Sequence, residues 1–388
     1  MRLDPETATR DMIDALGPEA LAKAAAYTAG NHWMLLWGVV VSALVTLVIV
    51  RFGLLDRFHA QLAKRGARLR VYLTCAGFFL MSALLSLPWG LYEEWGRERA
   101  YGRTSQPLGD FLMQDAIGIA IRALLGGLFF LGIYALIRRT GRRWWLWSGG
   151  LGAVAGLFIL LLSPVLIEPL FNDYKPVPPG AVRDAVVAMG KEAGIPADRI
   201  FIYDGSRQSN NFTANVSGIG SSARIAISDV ALKGASLDEV KAVTGHEIGH
   251  YVLGHVWRWA LLLPVLAVVF FFLADRLYAP TARLFGSAAP LADERGLPIL
   301  VFLVGVLATL ATPVTNAFTR LGEREADAYS LRTAQLPDAL ASALIKTAEY
   351  RNPRPHPVQE ALFYTHPSVE RRVRAAMEWK AKHGAAAP

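Results

Sequence analysis

Six long apolar stretches limit what this chain can fold into. Five of them contain no charged residue, and the other contains only Arg122. An α-helix needs about 20 apolar residues to cross the hydrocarbon layer of a membrane. A charge that faces lipid at this depth is costly, so we expect Arg122 to face the bundle interior or to reach the interface. We predict six membrane spans, at residues 33–50, 71–92, 116–137, 144–167, 259–274 and 297–319.

The composition agrees with a membrane protein and excludes several other classes. With 53 % hydrophobic and 19 % charged residues among 388, the chain is more apolar than a soluble globular protein. The single cysteine, Cys75, excludes an internal disulfide and a thiolate metal cluster, so any metal must be held by histidine and carboxylate. In a membrane protein, an excess of basic residues such as the formal charge of +8 is typically located in loops that contact anionic lipid. We therefore predict a lipid bilayer as partner and no nucleic acid.

Two polar segments interrupt the apolar stretches and divide the chain into four parts. We predict an N-terminal membrane domain with four spans (1–171), a soluble segment (172–257), two further spans (258–319) and a C-terminal helical segment (320–388). In the first soluble segment, runs rich in β-branched residues at 200–203 and 223–227 predict a small antiparallel β-sheet. The predicted fold class is mainly α, a multi-pass transmembrane helix bundle that carries this sheet.

A helix with two histidines carries the most informative residues. Ser236 opens a capping-box pattern, and a helical pattern continues from there past His255. His246 and His250 lie four residues apart and so share one helix face, within reach of one tetrahedral Zn²⁺. Glu247 can take a proton from water that the metal acidifies and pass it to a leaving amine. The H-E-x-x-H pattern therefore predicts a hydrolytic zinc site.

A catalytic zinc needs a third protein ligand and an open fourth position. The spacing H-E-x-x-H-x-x-G-x-x-H is absent, because Val256 stands six residues after His250. His255 lies about 180° from His246 around a continuous helix, so we predict a structural or interfacial histidine there. The remaining option is a carboxylate from a separate helix, the gluzincin arrangement.

Two carboxylates that follow the sixth span fit this requirement. Glu323 and Asp327 are four residues apart on one helix face, so the first can bind zinc while the second accepts the free ring N–H of a ligand histidine. Glu325 lies about 200° from Glu323 and would face elsewhere. The alternative interpretation is a solvent-exposed acidic face.

Further motifs follow in order along the chain: I-E-P-L-F-N at 167–172, R-I-A-I-S-D at 224–229, N-x-x-T-R-x-x-E-x-x-A-D at 316–327, T-H-P at 365–367, and Arg372. With H-E-x-x-H they resemble the M48 family of integral-membrane zinc peptidases, in its CAAX prenyl protease branch. The resemblance runs over most of the chain from about residue 93. It implies a gluzincin-type zinc peptidase domain with one Zn²⁺ per chain, bound by His246, His250 and Glu323, and Glu247 as general base and acid.

The same resemblance implies roles for residues around the metal. His366 helps to hold the tetrahedral oxyanion, a task for an electrophilic donor. The resemblance also implies that four residues support the metal ligands and catalytic residues from behind: Asp327, Asn316, Arg320 and Arg372. In the family a strand edge binds the substrate in extended form, and Asn210, Asn211 or Asn215 can hold the equivalent place here. We predict substrate contacts at Asn215, Val216, Ser217 and Gly218.

The resulting hypothesis is a membrane-embedded zinc metalloendopeptidase. Its substrate is a peptide or protein, and the sequence is compatible with lipidated and with membrane-inserted substrates. One alternative is an M48-type quality-control protease for membrane proteins; another, from a different class, is a catalytically silent zinc-containing scaffold or transporter. The expected location is the inner (plasma) membrane of a bacterium.

The orientation in the membrane stays open at this point. Family members in eukaryotes have seven spans around a large water-filled chamber, one more than predicted here. Six Lys and Arg residues in loop 51–70 and four in loop 138–143 lie on one side of six alternating spans. The positive-inside rule then puts the catalytic segments outside the cytoplasm, whereas the family resemblance suggests the cytosolic side.

Overall fold

The computed structural model describes residues 3–218 and 223–384. Its helices are α1 (Pro5–Asp14), α2 (Pro18–Arg51), α3 (Leu54–Gln61), α4 (Ala67–Gly90), α5 (Arg97–Ala100), α6 (Leu108–Thr140), α7 (Trp144–Leu162), α8 (Ala181–Glu192), α9 (Asp229–Gly234), α10 (Leu237–Val252), α11 (His255–Phe285), α12 (Leu297–Thr333), α13 (Pro337–Lys346), α14 (Pro357–Phe363) and α15 (Val369–His383). Its strands are β1 (Tyr174–Pro176), β2 (Ile200–Tyr203), β3 (Ala214–Ser217) and β4 (Arg224–Ser228).

Long apolar helices form the membrane part of the molecule. Five helical segments of the described chain are long and apolar enough to cross a membrane: Pro18–Arg51, Ala67–Ala100, Leu108–Leu170, His255–Phe285 and Glu294–Thr333. The third has 63 residues because it contains both α6 and α7, joined by the tight turn Gly141–Arg143. The third and fourth predicted spans therefore lie in one segment. Arg122 reaches along α6 to Asp115, with 3.2 Å between guanidinium and carboxylate.

Three parts of the chain meet at one end of this bundle. His59 lies 3.6 Å from the Glu294 carboxylate, which also pairs with Arg138, and Arg295 lies 3.6 Å from Asp56. These contacts join α3, the last turn of α6 and the segment between α11 and α12, next to the loops that carry many of the predicted basic residues. Helix α11 ends near these contacts, and its 31 residues make it about 45 Å long, so its first residue lies about 45 Å from this end of the bundle. The basic loops and the histidine helix α10 therefore lie at opposite ends.

The small sheet is mixed, so the prediction of an antiparallel sheet is wrong in one pairing. The strand order is β1-β2-β4-β3, with β1 antiparallel to β2 and β3 antiparallel to β4. The two strands identified in the sequence, β2 and β4, are parallel. The chain reverses direction once on the way to β3 and again on the way to β4, so β4 returns in the direction of β2. Strand β3, A-N-V-S, lacks the β-branched pattern that would have indicated it.

Helix α10 packs against α12 through small residues. A Cβ on Gly249 would lie 3.2 Å from the Ala326 Cα and 3.1 Å from the Tyr329 Cβ, so a larger residue would push the two helices apart by a few tenths of an ångström. The start of α10 has the predicted capping box, in which Ser236 and Glu239 each bond the other's backbone N–H. The contact brings the middle of α10 beside residues 323–330 of α12.

One helix boundary differs from the prediction and matters for the site. The pattern past His255 predicted one continuous helix, but α10 ends at Val252. Gly254 has φ of 66°, a conformation that favours glycine, and α11 begins at the next residue. At the other predicted boundary, α12 continues through residue 320 without a break, so one helix both spans the membrane and carries Glu323.

Candidate metal centre

Three side chains from two helices converge beside the α10–α12 contact. One ligand atom each from His246, His250 and Glu323 lie within 4.8 Å of one another. The two histidine Nε2 atoms are 3.1 Å apart, and each is 3.4 Å from a different oxygen of Glu323. His246 and Glu323 are buried, and His250 is partly buried. The histidines reach one point because they are one turn apart on α10, and α12 supplies the carboxylate opposite them.

This donor set fits a zinc ion. Ligands about 2.0–2.1 Å from a tetrahedral zinc lie about 3.3 Å from one another, close to the separations of 3.1 to 3.4 Å found here. The buried Glu323 Oε2 has no hydrogen-bond partner among the described residues. A buried acceptor without a donor is costly, and a cation between these atoms would satisfy it.

The outer nitrogen of His246 is held by a carboxylate. Its Nδ1 lies 2.9 Å from Asp327 Oδ1, and Arg372 donates two hydrogen bonds of 2.7 Å to the oxygens of Asp327. A carboxylate accepts only, so His246 carries its proton on Nδ1 and presents a lone pair at Nε2. The Arg372 guanidinium also lies 3.5 Å from Glu323 Oε2. One buried arginine thus balances two buried carboxylates.

Glu247 lies between the two histidines in sequence and is partly buried. Burial raises the pKa of its carboxyl group. Among the described residues, none hydrogen-bonds to this carboxylate. A carboxylate with a raised pKa and no fixed partner is suited to take up a proton and return it.

His366 approaches the centre from the segment after α14. Its Nε2 lies 3.3 Å from Glu323 Oε2, and its Nδ1 lies 2.8 Å from the Thr365 hydroxyl. Burial and the charge of Arg351 lower the pKa of His366 to about 3, so the ring is neutral. If the Thr365 hydroxyl donates to Nδ1, the ring proton is on Nε2 and points towards the centre.

Asn316 and Arg320 contact the α14 segment and not the three converging side chains. Asn316 donates to the Leu362 carbonyl at 3.1 Å. Arg320 donates to the carbonyls of Glu360, Ala361 and Tyr364, the last of which directly precedes Thr365. These bonds satisfy the carbonyls at the end of α14 and hold the backbone that carries His366.

The predicted substrate residues lie on an edge strand. Strand β3 contains Asn215, Val216 and Ser217, with Gly218 after it, and it pairs with β4 on one side only. Val216, Ser217 and Gly218 line a cavity of about 510 Å³ that also reaches His250. Asn210 instead bonds the loop at 102–105, and the Asn211 and Asn215 side-chain oxygens are buried without a partner among the described residues.

The residues that sequence reasoning missed lie behind His250. His255, which helical geometry placed facing away, has its Nδ1 2.8 Å from the His250 Nδ1. The expectation assumed a continuous helix, and the break at Gly254 turns His255 back towards its neighbour. The glycine itself was the available signal, since glycine often follows a helix end.

Two family models match this chain. Peptidase family M48 matches residues 178–380. CAAX prenyl protease N-terminal, five membrane helices, matches residues 5–173. In the second range the described structure has four long apolar helices, α2, α4, α6 and α7.

Individual relatives align over most of their length. The uncharacterized metalloprotease YhfN of Bacillus subtilis is 27 % identical, over 94 % of this chain and 87 % of its own. CAAX prenyl protease 1 homolog of Arabidopsis thaliana is 26 % identical, over 95 % and 90 %. CAAX prenyl protease 1 of Saccharomyces cerevisiae is 24 % identical, over 88 % and 77 %.

The fold has a solved counterpart. The crystal structure of S. mikatae Ste24p superposes with a TM-score of 0.76 at 20 % identity, covering 94 % of this chain and 90 % of that one. The match confirms the helical membrane fold that the sequence predicted, and the family models confirm the resemblance drawn from the motifs. The chain belongs to peptidase family M48 and is a multi-pass membrane metalloprotease that resembles the CAAX prenyl proteases.

Proposed function

We propose that this chain is a zinc endopeptidase with His246, His250 and Glu323 as its three protein ligands. The observation that carries the proposal is the convergence of their donor atoms at the separations of a tetrahedral zinc site. Zinc bound there supplies Lewis acidity, which acidifies water and polarises a peptide carbonyl. Three protein ligands leave the fourth position for substrate chemistry, as a catalytic site requires.

Two further residues move or hold protons. Glu247 accepts a proton from the attacking water and returns it to the leaving amine. His366 donates its Nε2 hydrogen to the oxygen that becomes negative as water adds to the carbonyl. Thr365 and the carbonyl bonds of Arg320 hold this ring in place before the substrate arrives. Asp327 and Arg372 fix the ring of His246.

The substrate lies along the unpaired side of β3, adding a strand through main-chain hydrogen bonds. The cavity beside β3 has apolar walls from α7 and α11, including Leu160, Val256 and Trp259. Both helices belong to membrane segments. Because these walls are apolar and belong to membrane helices, they favour a substrate that carries an apolar side chain or a lipid group from the bilayer, as in CAAX prenyl processing.

The test is zinc content and cleavage in one detergent-purified preparation. We expect about one zinc per chain and cleavage of a farnesylated C-terminal peptide. A chelator should abolish cleavage, and added zinc should restore it. Full activity of metal-free protein would overturn the proposal. Equal cleavage of the unprenylated peptide would favour the quality-control alternative, and bound zinc without cleavage of any substrate would favour the scaffold or transporter.

The lining of a second cavity is evidence for a substrate with a free carboxylate. This cavity of about 350 Å³ lies between α2, α12 and the His366 segment, and Asn31, His32 and Arg351 line it. Arg351 is partly buried, and its guanidinium has no carboxylate or hydrogen-bond partner among the residues described. Burial lowers the pKa of this group, which means that its charge is poorly solvated. A C-terminal carboxylate of the substrate would pair with it.

This assignment predicts a preference between matched peptides. The wild type should cleave a peptide with a free C-terminus about 10- to 100-fold better, in kcat/KM, than its C-terminal amide, because one charged pair is lost. Arg351→Gln should abolish the preference. Arg332→Gln, which removes an exposed arginine elsewhere, should keep it. Equal cleavage of acid and amide by the wild type would contradict the assignment.

The proposed location is the inner (plasma) membrane of a bacterium. The Bacillus subtilis relative, which matches over 94 % of this chain, supports this proposal.

A further inference from the structure

The proposed zinc ligand His250 has a second histidine behind it. Its Nδ1, the nitrogen away from the other ligands, lies 2.8 Å from Nδ1 of His255. The opposite nitrogen of His255, Nε2, lies 2.9 Å from Glu325 Oε2, and Arg258 donates to the same oxygen at 2.6 Å. A continuous chain of contacts therefore leads from His250 to an arginine–carboxylate pair on α11 and α12.

Local backbone features put His255 in this place. Gly254, with φ of 66°, separates α10 from α11 and lets the first residue of α11 turn back over the last turn of α10. Gly322 of α12 provides the space beside the ring, since a Cβ there would lie 3.3 Å from the His255 Nδ1. The His255 side chain is 9 % exposed, whereas those of Glu325 and Arg258 are 35 % and 37 % exposed. His255 is therefore the most buried of these four residues, since the His250 side chain is 28 % exposed.

We propose that His255 is a positioning residue for His250, and that Glu325 and Arg258 set its tautomer. The inference rests on the proposed function, in which His250 binds zinc through Nε2. A ligand nitrogen needs its lone pair, so the His250 proton is on Nδ1 and is donated to His255 Nδ1.

The Glu325 carboxylate fixes the direction of donation along the hydrogen bonds from His250 through His255. His255 accepts at Nδ1, so its own proton is on Nε2 and is donated to Glu325, which as a carboxylate can only accept. The reverse direction would place the lone pair of His255 Nε2 against the Glu325 carboxylate. Arg258 keeps Glu325 ionised and in place. The arrangement is the counterpart of the His246–Asp327–Arg372 contacts, with one imidazole inserted between ligand and carboxylate.

The test measures zinc affinity by chelator competition in purified protein, with three variants. His255→Phe keeps a ring but loses both hydrogen bonds, so we expect about 10- to 100-fold weaker zinc binding. His255→Gln offers an amide oxygen to His250 and an amide N–H to Glu325, so it should recover most of the affinity. Glu325→Ala truncates a side chain that is one third exposed and should weaken binding by a smaller factor. His59→Phe, at the far end of the bundle, is the matched control and should bind zinc like the wild type.

A spectrum separates positioning from packing. In protein loaded with Co²⁺ in place of zinc, the visible bands report ligand geometry, and they should change in His255→Phe and return towards the wild type in His255→Gln. Wild-type zinc affinity in both His255→Phe and Glu325→Ala would overturn the inference alone. So would equal loss in His255→Gln and His255→Phe. If His255→Phe does not fold, the zinc affinities of Glu325→Ala and His255→Gln decide: the inference requires weaker binding in the first and nearly wild-type binding in the second. Absence of zinc from the wild type would overturn the proposed function and the inference with it.

Discussion

Glu247→Gln is expected to reduce kcat by about 10²- to 10⁴-fold and to leave the zinc content unchanged. The amide has the size of the carboxylate but cannot accept a proton from water at neutral pH. Glu247 is outside the group of converging ligand atoms, so its charge is not needed to retain the metal. The raised pKa of Glu247 comes from burial, which glutamine tolerates as a neutral side chain.

Cleavage of one peptide and zinc per chain should be measured side by side in the wild type and the variant. Asp238→Asn is a matched control, because Asp238 lies on the exposed first turn of the same helix and pairs with Lys241. The control should cleave at the wild-type rate. Undiminished cleavage by Glu247→Gln would rule out Glu247 as the proton carrier. Loss of zinc together with activity would instead make Glu247 part of the metal site.

The sequence predicted the parts of this molecule that depend on local spacing. Charge-free stretches predicted the membrane helices because lipid solvates apolar side chains wherever they lie along the chain. The four-residue spacing predicted that His246 and His250 share a face of α10, and it also put Glu323 and Asp327 on one face of α12. The structure brings these two faces together through Gly249, which no spacing rule indicates.

Sequence reasoning failed where a turn or a distant partner decides the geometry. The angle calculated for His255 assumed a helix that ends at Val252 in the structure. The orientation of β4 depended on β3, which has no strand pattern. Arg351 follows no motif, and only the fold shows that it lines a cavity with His366. Arg320 stood in a motif, but its partners are backbone carbonyls about 40 residues away, which sequence cannot identify.

Arg372→Met is expected to reduce both stability and zinc affinity. The guanidinium is buried, bonds both oxygens of Asp327 and lies beside Glu323. Removing one partner of a buried ion pair leaves an uncompensated charge and costs about 3–5 kcal/mol. Asp327 would then lose the bonds that aim it at His246, and weakening this support typically lowers metal affinity by about 10- to 100-fold. Thermal unfolding in detergent and chelator competition measure the two effects.

The cause can be separated from simple loss of packing by removing the second charge as well. In the double variant Arg372→Met with Asp327→Asn, one buried carboxylate becomes neutral, so stability should recover in large part. Zinc affinity should stay low, because asparagine holds the His246 ring less firmly than an ionised carboxylate does. The neighbouring Arg371→Met is the control, since the Arg371 side chain is 63 % exposed and its ion pair with Glu360 contributes little. If the double variant were no more stable than Arg372→Met, the role of Arg372 would be packing, and the charge balance around Asp327 and Glu323 would not explain its burial.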